Sequence, residues 1–593
     1  MIELKYQKRK NSELFKSLES SNTLFLSKIQ NYIPIYTRFF SLNKTNFNNI
    51  NLNHTWYISN LDENELKEND KNKSTIHIYN CIIKNINTQK IKHKNVFFKL
   101  APLIDPYKLL VGKYCFNEKL FNLPNIDSTE PDTLKKYMDV NNCAYVDGFF
   151  LFLNSILIYN YKFCHGVDYY GSFLAIKNNF TMNVADELDY LTNSEYFNQN
   201  KNVLFKIDDY EHLMDHEDFK LTPLKIDYNS TVKSNASVKS INNDVFENIF
   251  LENNSQSELK LTQELIEIVN DNNLIDFKDT NNVTLKSNST CSSRTSYTNE
   301  ESCENCDNSS INEKENEEAS QTDETEVWEE ETEESFSEET INVTMPAFPV
   351  QAICMECCED TFDNLILTND LTPEEWLSAF MQIIMILITY QKAFAFTHND
   401  LHTNNVMYNN TDKKYIYYCY KKKYYKVPTF GRIFKIIDFG RSIYKFNGNL
   451  FCSDSFQHGE DAASQYNTEP YFNEKKPRLE PNFSFDICRL ACSIFDYLVE
   501  DMEEIKDLSK CTDPVKKLVV EWCLDDKGIN LLYKNNGVDR YPEFKLYKMI
   551  ARCVHNHTPQ MQLNRPEFKQ YLTTIKGDMP DNIINIDTIP SLV

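Results

Sequence analysis

Two short segments carry the side chains best suited to holding a polyphosphate and handling a proton. THNDLHTNNVMYN at 397–409 sets Asp400 and Asn405 five residues apart on a tight polar loop, between an apolar stretch and the apolar pair Val406 and Met407. IFKIIDFGRS at 433–442 ends an apolar run on Asp438, which Phe439 and Gly440 follow. One acid can orient or deprotonate a hydroxyl; one amide and one further acid offer hard oxygen ligands for a divalent cation against phosphates.

Such a loop needs rigid support. Thr372 can cap a helix, Pro373 fits its first position and Glu375 completes a capping box before WLSAFMQIIMILITYQKAFAF, so a helix is expected to run to about residue 395. A second apolar helix is expected at about 144–160 (AYVDGFFLFLNSILIYN), with others from near Ser484 and over 514–523 and 543–555. Strands are expected at 75–83, 95–100, in GVDYYGSFLAI and from 346 onward, where β-branched and aromatic residues dominate. The first 70 residues read as short β-type runs among Asn-rich segments. Strands come early and helices late, which predicts an α+β chain of two lobes, the second mostly helical.

H-N-D-L-H-T-N-N with I-D-F-G resembles the catalytic loop and metal-binding motif of the eukaryotic-type protein kinase superfamily, and the Asn- and Tyr-rich style resembles the kinase-like proteins of large DNA viruses. His398, Asp400 and Asn405 match the pattern H-R-D-x-x-x-x-N, with Asn399 in place of the Arg that often receives an activation-loop phosphate. His402 stands where protein kinases usually place a Lys; a His there is also found in haspin-like and small-molecule kinases.

The resemblance implies a bilobal protein-kinase-like fold: an N-lobe with its extension over 1–180, an insertion over 181–345, a last strand and hinge over 346–358, and a helical C-lobe over 359–593. It implies ATP and Mg²⁺, with Asp400 accepting or orienting the acceptor proton, Asn405 and Asp438 on the metal, and Lys99 on the α- and β-phosphates, held by Asp147. Met355 and Glu356 would guard and line the adenine pocket. His398, Gly440 and Asp486 would be structural, Asp486 bonding the catalytic-loop backbone. The implied activity is serine/threonine phosphorylation of a protein substrate, in host cytoplasm or virion.

Two features depart from the family. The first of 11 glycines is Gly112, so no glycine-rich loop precedes Lys99, and the turn of a nucleotide-covering hairpin over 55–98 would be the polar run DENELKENDKNKS. Between Asn405 and Asp438 lie 32 residues, where typical kinases have about a dozen. This excursion carries five Lys within 413–423 and predicts a local basic face.

The chain as a whole is acidic, with a net charge of −25, which argues against broad binding to nucleic acid or anionic membrane. Residues 301–340 hold 17 Asp or Glu and one Lys, and are expected to be disordered, as is most of the insertion from about 285. Seventeen cysteines, mostly within apolar runs, and a polar start without a leader-like segment suggest a reduced intracellular protein. Cys303 and Cys306 lack a second close pair for a zinc site. No uninterrupted apolar run reaches 18 residues, so membrane insertion is not expected, and nothing specifies an oligomeric state. Two other readings stay open: a small-molecule hydroxyl kinase, motivated by His402 and the absent Arg, and a catalytically weak interaction module, motivated by the missing glycines.

Overall fold

Alternating apolar residues build an antiparallel, curled sheet from β1 (Leu26–Gln30), β2 (Trp56–Leu61), β3 (Ile78–Asn85), β4 (Ile91–Pro102), β5 (Tyr169–Asn183) and β6 (Asn342–Glu356), in the order β1-β5-β6-β4-β3-β2. A short strand, Lys206–Ile207, also pairs with β6. The computed structural model describes residues 4–62, 77–128, 133–210, 340–500, 505, 508–534, 536–542, 544–574, 580 and 582–593. The acidic tract, Cys303, Cys306, the segment TQELIEIV at 262–269, whose spacing predicts a helix, and the turn between β2 and β3 lie outside the described residues.

The strands fall where sequence placed them, but the first 70 residues also form a helix, α1 (Ser12–Ser20). Its buried Leu14 and Leu18 are four apart, a helical spacing hidden among polar neighbours.

Helix α2 (Cys143–Tyr161) is capped by Asn142, whose side chain accepts from the N–H of Ala144. It is too apolar for a surface rod and packs on β5 and β6. Gly148 permits this approach: a Cβ there would lie 2.4 Å from Nε2 of the buried Gln351 on β6. Helix α3 (Pro373–Phe394) has the expected capping box, with Thr372 Oγ1 accepting from the N–H of Glu375 at 3.3 Å and the Glu375 carboxylate accepting from the N–H of Thr372 at 3.0 Å. Windows within Lys135–Tyr161 and within α3 are apolar and long enough to cross a bilayer, and 83% and 94% of them are buried inside the fold.

The second half is less helical than expected. Between α3 and the next long helix come β7 (Val406–Asn410), β8 (Tyr415–Tyr420), β9 (Lys423–Pro428), β10 (Arg432–Ile436), β11 (Ile443–Phe446) and β12 (Asn449–Cys452). Period-two alternation explains the 32-residue excursion: Ile416, Tyr418, Tyr425 and Val427 are buried, while Tyr415, Tyr417, Tyr424 and Lys426 between them are exposed or half-buried. β7 pairs antiparallel with β10, from Val406 against Ile436 to Asn410 against Arg432, and β8–β9 is the hairpin between them. Helices α4 (Phe485–Leu498), α5 (Pro514–Trp522) and α6 (Lys545–Cys553) follow as expected.

Candidate active site

The β7–β10 pairing carries Asn405 and Asp438 to the same end of two adjacent strands. The N–H of Ile437 donates to the carbonyl of Asn405 at 3.0 Å, so the two residues flank one backbone contact although 32 residues separate them in sequence. Asp438 stands in the left-handed backbone region, at φ 61°. For an Asp this conformation is uncommon, and here it belongs to a side chain engaged in an ion pair.

Lys99, on β4, reaches across to that carboxylate. Its Nζ is 2.8 Å from Asp438 Oδ1 and 2.6 Å from Asp147 Oδ2. Asp147, in the first turns of α2, also accepts from the N–H of Phe439 at 2.9 Å, so it ties Lys99 and the backbone beside Asp438 together. Burial opposes the charge on Lys99, but the two carboxylates outweigh it and hold the pKa above the ordinary lysine value. Burial also opposes the Asp438 charge, and Lys99 holds that carboxyl well below the usual range. Asp147 is pushed up by burial, against the pull of Lys99. The Asp438 side chain remains 48% exposed, which leaves its carboxylate open to solvent and ligand.

Asp486, on α4, is fully buried and accepts from the N–H groups of His398 and Asn399, each at 2.9 Å. Burial pushes its pKa up; these partners pull it down. His398 Nε2 lies 2.9 Å from the carbonyl of Ile437, linking the loop to the residue before Asp438. Asn399 is buried at φ 65°, with its amide donating to the Arg441 carbonyl at 3.0 Å and accepting from the Tyr466 hydroxyl at 3.0 Å. Asn tolerates left-handed backbone better than most residues, and these bonds occupy its side chain in the interior, away from any incoming phosphate.

Asp400 is 8% exposed and both its oxygens have partners. Tyr547 donates its hydroxyl to Oδ1 at 2.6 Å, and Arg441 Nη1 lies 3.3 Å from Oδ2 while its other nitrogen pairs with Asp461. Burial raises the Asp400 pKa, yet Arg441, His402, Arg489 and Tyr547 together hold it below the usual carboxylate range. Asn405 donates its amide to the carbonyl of Asp400 at 2.9 Å, with the same nitrogen 3.1 Å from His402 Nε2. His402 is held down to about 4, mainly by burial, and is therefore neutral at pH 7.

Met355 is buried at the end of β6, opposite Phe97 and Tyr169. Glu356 uses its N–H on the carbonyl of Asp168 at 2.8 Å, and its carboxylate on Lys435 at 3.0 Å and Asn409 at 2.8 Å. Its N–H is thus engaged within the fold, and a ligand along this edge would use other backbone groups. At Gly440 a Cβ would meet nothing nearer than 3.5 Å, so space alone does not demand glycine there.

The donor set fits a hard divalent cation: an open carboxylate from Asp438 and an amide from Asn405 whose nitrogen is already committed, turning its oxygen to the role of ligand. Among the described residues no cluster of three or more His, Cys, Asp or Glu could by itself hold a metal ion. Thirteen of the fourteen described cysteines, all but Cys357, are free thiols. A cavity of about 290 Å³ lined by Lys162, Cys164, Lys413, Ile416 and Asn582 shares no residue with the cluster.

Sequence reading missed Arg441, Asp461 and Tyr547. Arg441 had a signal, a charge directly after Gly440 and before the apolar SIY; Tyr547 had none, since its helix reads as ordinary core. No family model matches the chain, and no curated protein matches its sequence.

Proposed function

We propose that the chain is an ATP-dependent phosphotransferase of protein-kinase-like, two-lobed design, acting on serine or threonine hydroxyls of a protein. The observation that carries this reading is the meeting of Lys99, Asp147 and Asp438, from β4, α2 and the end of β10, at 2.6 and 2.8 Å, beside the loop that holds Asp400 and Asn405. Lys99 is cationic and sits between two carboxylates, suited to exchanging part of that pairing for phosphate oxygens. Asp438 and Asn405 would hold Mg²⁺, which supplies neutralisation of phosphate charge when bound. Asp400, kept ionised by Arg441 and Tyr547, orients the acceptor hydroxyl and takes its proton. Asp486 and His398 act through the loop backbone as positioning residues.

A second reading, a kinase-like interaction module with weak or no transfer, is favoured first by the bonding of both oxygens of Asp400, so that an acceptor must compete with Tyr547. The absence of glycine before Gly112 favours it too. A small-molecule kinase remains the third, on the strength of His402. Incubation with labelled ATP and Mg²⁺ beside panels of protein and small hydroxyl acceptors separates them. Label on protein serine or threonine supports the first reading; label on small acceptors alone selects the third; nucleotide binding without transfer selects the module.

A further inference from the structure

The excursion between the two proposed metal ligands is a rigid platform rather than a slack loop. Its hairpin β8–β9 lies inside a four-stranded sheet, with Leu572–Thr573 paired to β9 and Ile584–Asn585 paired to β8. The tip residues Lys421 and Lys422 both have left-handed backbone, at φ 50° and 58°, an unfavourable arrangement for lysine. Asp587 supports it, accepting from the N–H of Lys421 and of Lys422 at 2.8 Å each, while Lys392 of α3 holds the carbonyls of Ile586 and Asp587 at 2.5 and 2.9 Å. The tip is therefore held so that lysines stand where glycine or asparagine would be easier.

The outward face is basic and aromatic. Lys413, Lys414, Lys421, Lys422 and Lys423 are exposed, and Lys426 lies with its ammonium 3.9 Å over the ring of Tyr415. Tyr415 is exposed and Tyr417 and Tyr424 partly so. None of these six lysines forms an ion pair with a carboxylate among the described residues, and the one acid within the stretch is Asp412. Six cations on one hairpin of a chain with net charge −25 are a local reversal of sign. The outer edges of the hairpin are already paired at Tyr418–Cys419 and at Tyr424–Tyr425, so a partner would be read mainly by side chains.

We propose that this face docks an Asp/Glu-rich segment of a polypeptide, and, resting on the phosphotransferase reading, that acidic proteins are its substrate class. Lysine ammoniums are point charges that pair with scattered carboxylates without the bidentate geometry arginine imposes. The overall acidity of the chain disfavours a long polyanion such as nucleic acid more than a short acidic segment, because repulsion accumulates with every charge beyond the patch. β7 leaves the proposed site directly after Asn405 and β10 returns two residues before Asp438, so the platform is joined at its base to both ligands.

The test is fluorescence anisotropy without nucleotide, using the full chain, a labelled Glu-rich peptide, its Gln counterpart and a single-stranded oligonucleotide of equal charge. The Glu peptide is expected to bind, to weaken as salt rises, and to bind at least about tenfold more weakly to a Lys421→Asn, Lys422→Asn, Lys423→Gln, Lys426→Gln variant of unchanged melting temperature. In transfer assays that variant should raise KM for an acidic protein acceptor and leave kcat unchanged. Equal binding of the Glu and Gln peptides, tighter binding of the oligonucleotide, or undiminished peptide binding by the folded variant overturns the proposal. Charge-selective peptide binding without any phosphate transfer would leave the docking face standing and overturn the phosphotransferase reading instead.

Discussion

The hydroxyl of Tyr547 donates to Oδ1 of Asp400 at 2.6 Å from a helix 147 residues farther along the chain. A bond to the charged carboxylate stabilises its ionised form, so Tyr547→Phe should raise the Asp400 pKa and move the acidic limb of the transfer rate to higher pH. At pH 7 the variant should stay within about tenfold of the parent, whereas loss of a general base typically costs about 10²- to 10⁴-fold. A pH–rate profile of both proteins checks this; an unmoved acidic limb would mean that the titrating base is not Asp400.

Asp486→Ala leaves the N–H groups of His398 and Asn399 buried without an acceptor. Each orphaned group costs about 1–3 kcal/mol, so a loss of roughly 2–6 kcal/mol is expected, together with reduced transfer because the Asp400 loop loses its anchor. Chemical denaturation measures the first and a transfer time course the second. Full retention of both would place the carboxylate outside the loop's support.

Gly148→Ala should disturb Asp147 through packing rather than charge. The new Cβ would press on Gln351, whose amide is pinned 2.6 Å from Ser172 Oγ, and overpacking of this kind costs about 1–3 kcal/mol. Nucleotide binding should weaken with stability, and Gln351→Ala in the same chain should restore much of both. Failure of the second substitution to rescue would show that the helix approaches the sheet for another reason.

His165 links two parts of the fold, with Nδ1 2.7 Å from the carbonyl of Phe434 and Nε2 2.6 Å from the Tyr418 hydroxyl. Burial holds its pKa down to about 4 from an ordinary 6.5. The unfolded chain therefore binds a proton that the native chain refuses between those values, and stability falls as pH drops from 6.5 towards 4, by roughly 3 kcal/mol from this group. In His165→Gln the melting temperature, although lower throughout, should fall less steeply across that window. Parallel curves for the two proteins would contradict the assignment.

What was legible in sequence was local. The capping box at Thr372, the apolar pattern around Asp147 and the strand carrying Lys99 each declare themselves within a dozen residues, and the pairing of Lys99 with Asp147 followed from the family resemblance, which asks for an acid on the next helix. What was illegible depends on contacts between distant segments. The hairpin at 415–428 was foreseen as a basic excursion but not as part of a sheet, because its partners at 572–573 and 584–585 are two-residue strands with no pattern of their own. Tyr547 looks like core, and only the packing of α6 against α4 brings its hydroxyl to Asp400. The engagement of the Glu356 N–H by Asp168 was equally invisible, since it is a backbone contact.

Calorimetric titration of ATP with Mg²⁺ into the parent, Asp438→Ala and Asp400→Asn, beside a transfer time course on the same preparations, tests the division of roles most directly. The parent should bind and transfer; Asp438→Ala should lose most metal-dependent binding, because the exposed carboxylate proposed to hold the metal is gone. Asp400→Asn should bind nearly as the parent does yet transfer about 10²- to 10⁴-fold more slowly. Equal loss of binding in both variants would contradict the separate roles, and undiminished transfer in both would contradict the site itself.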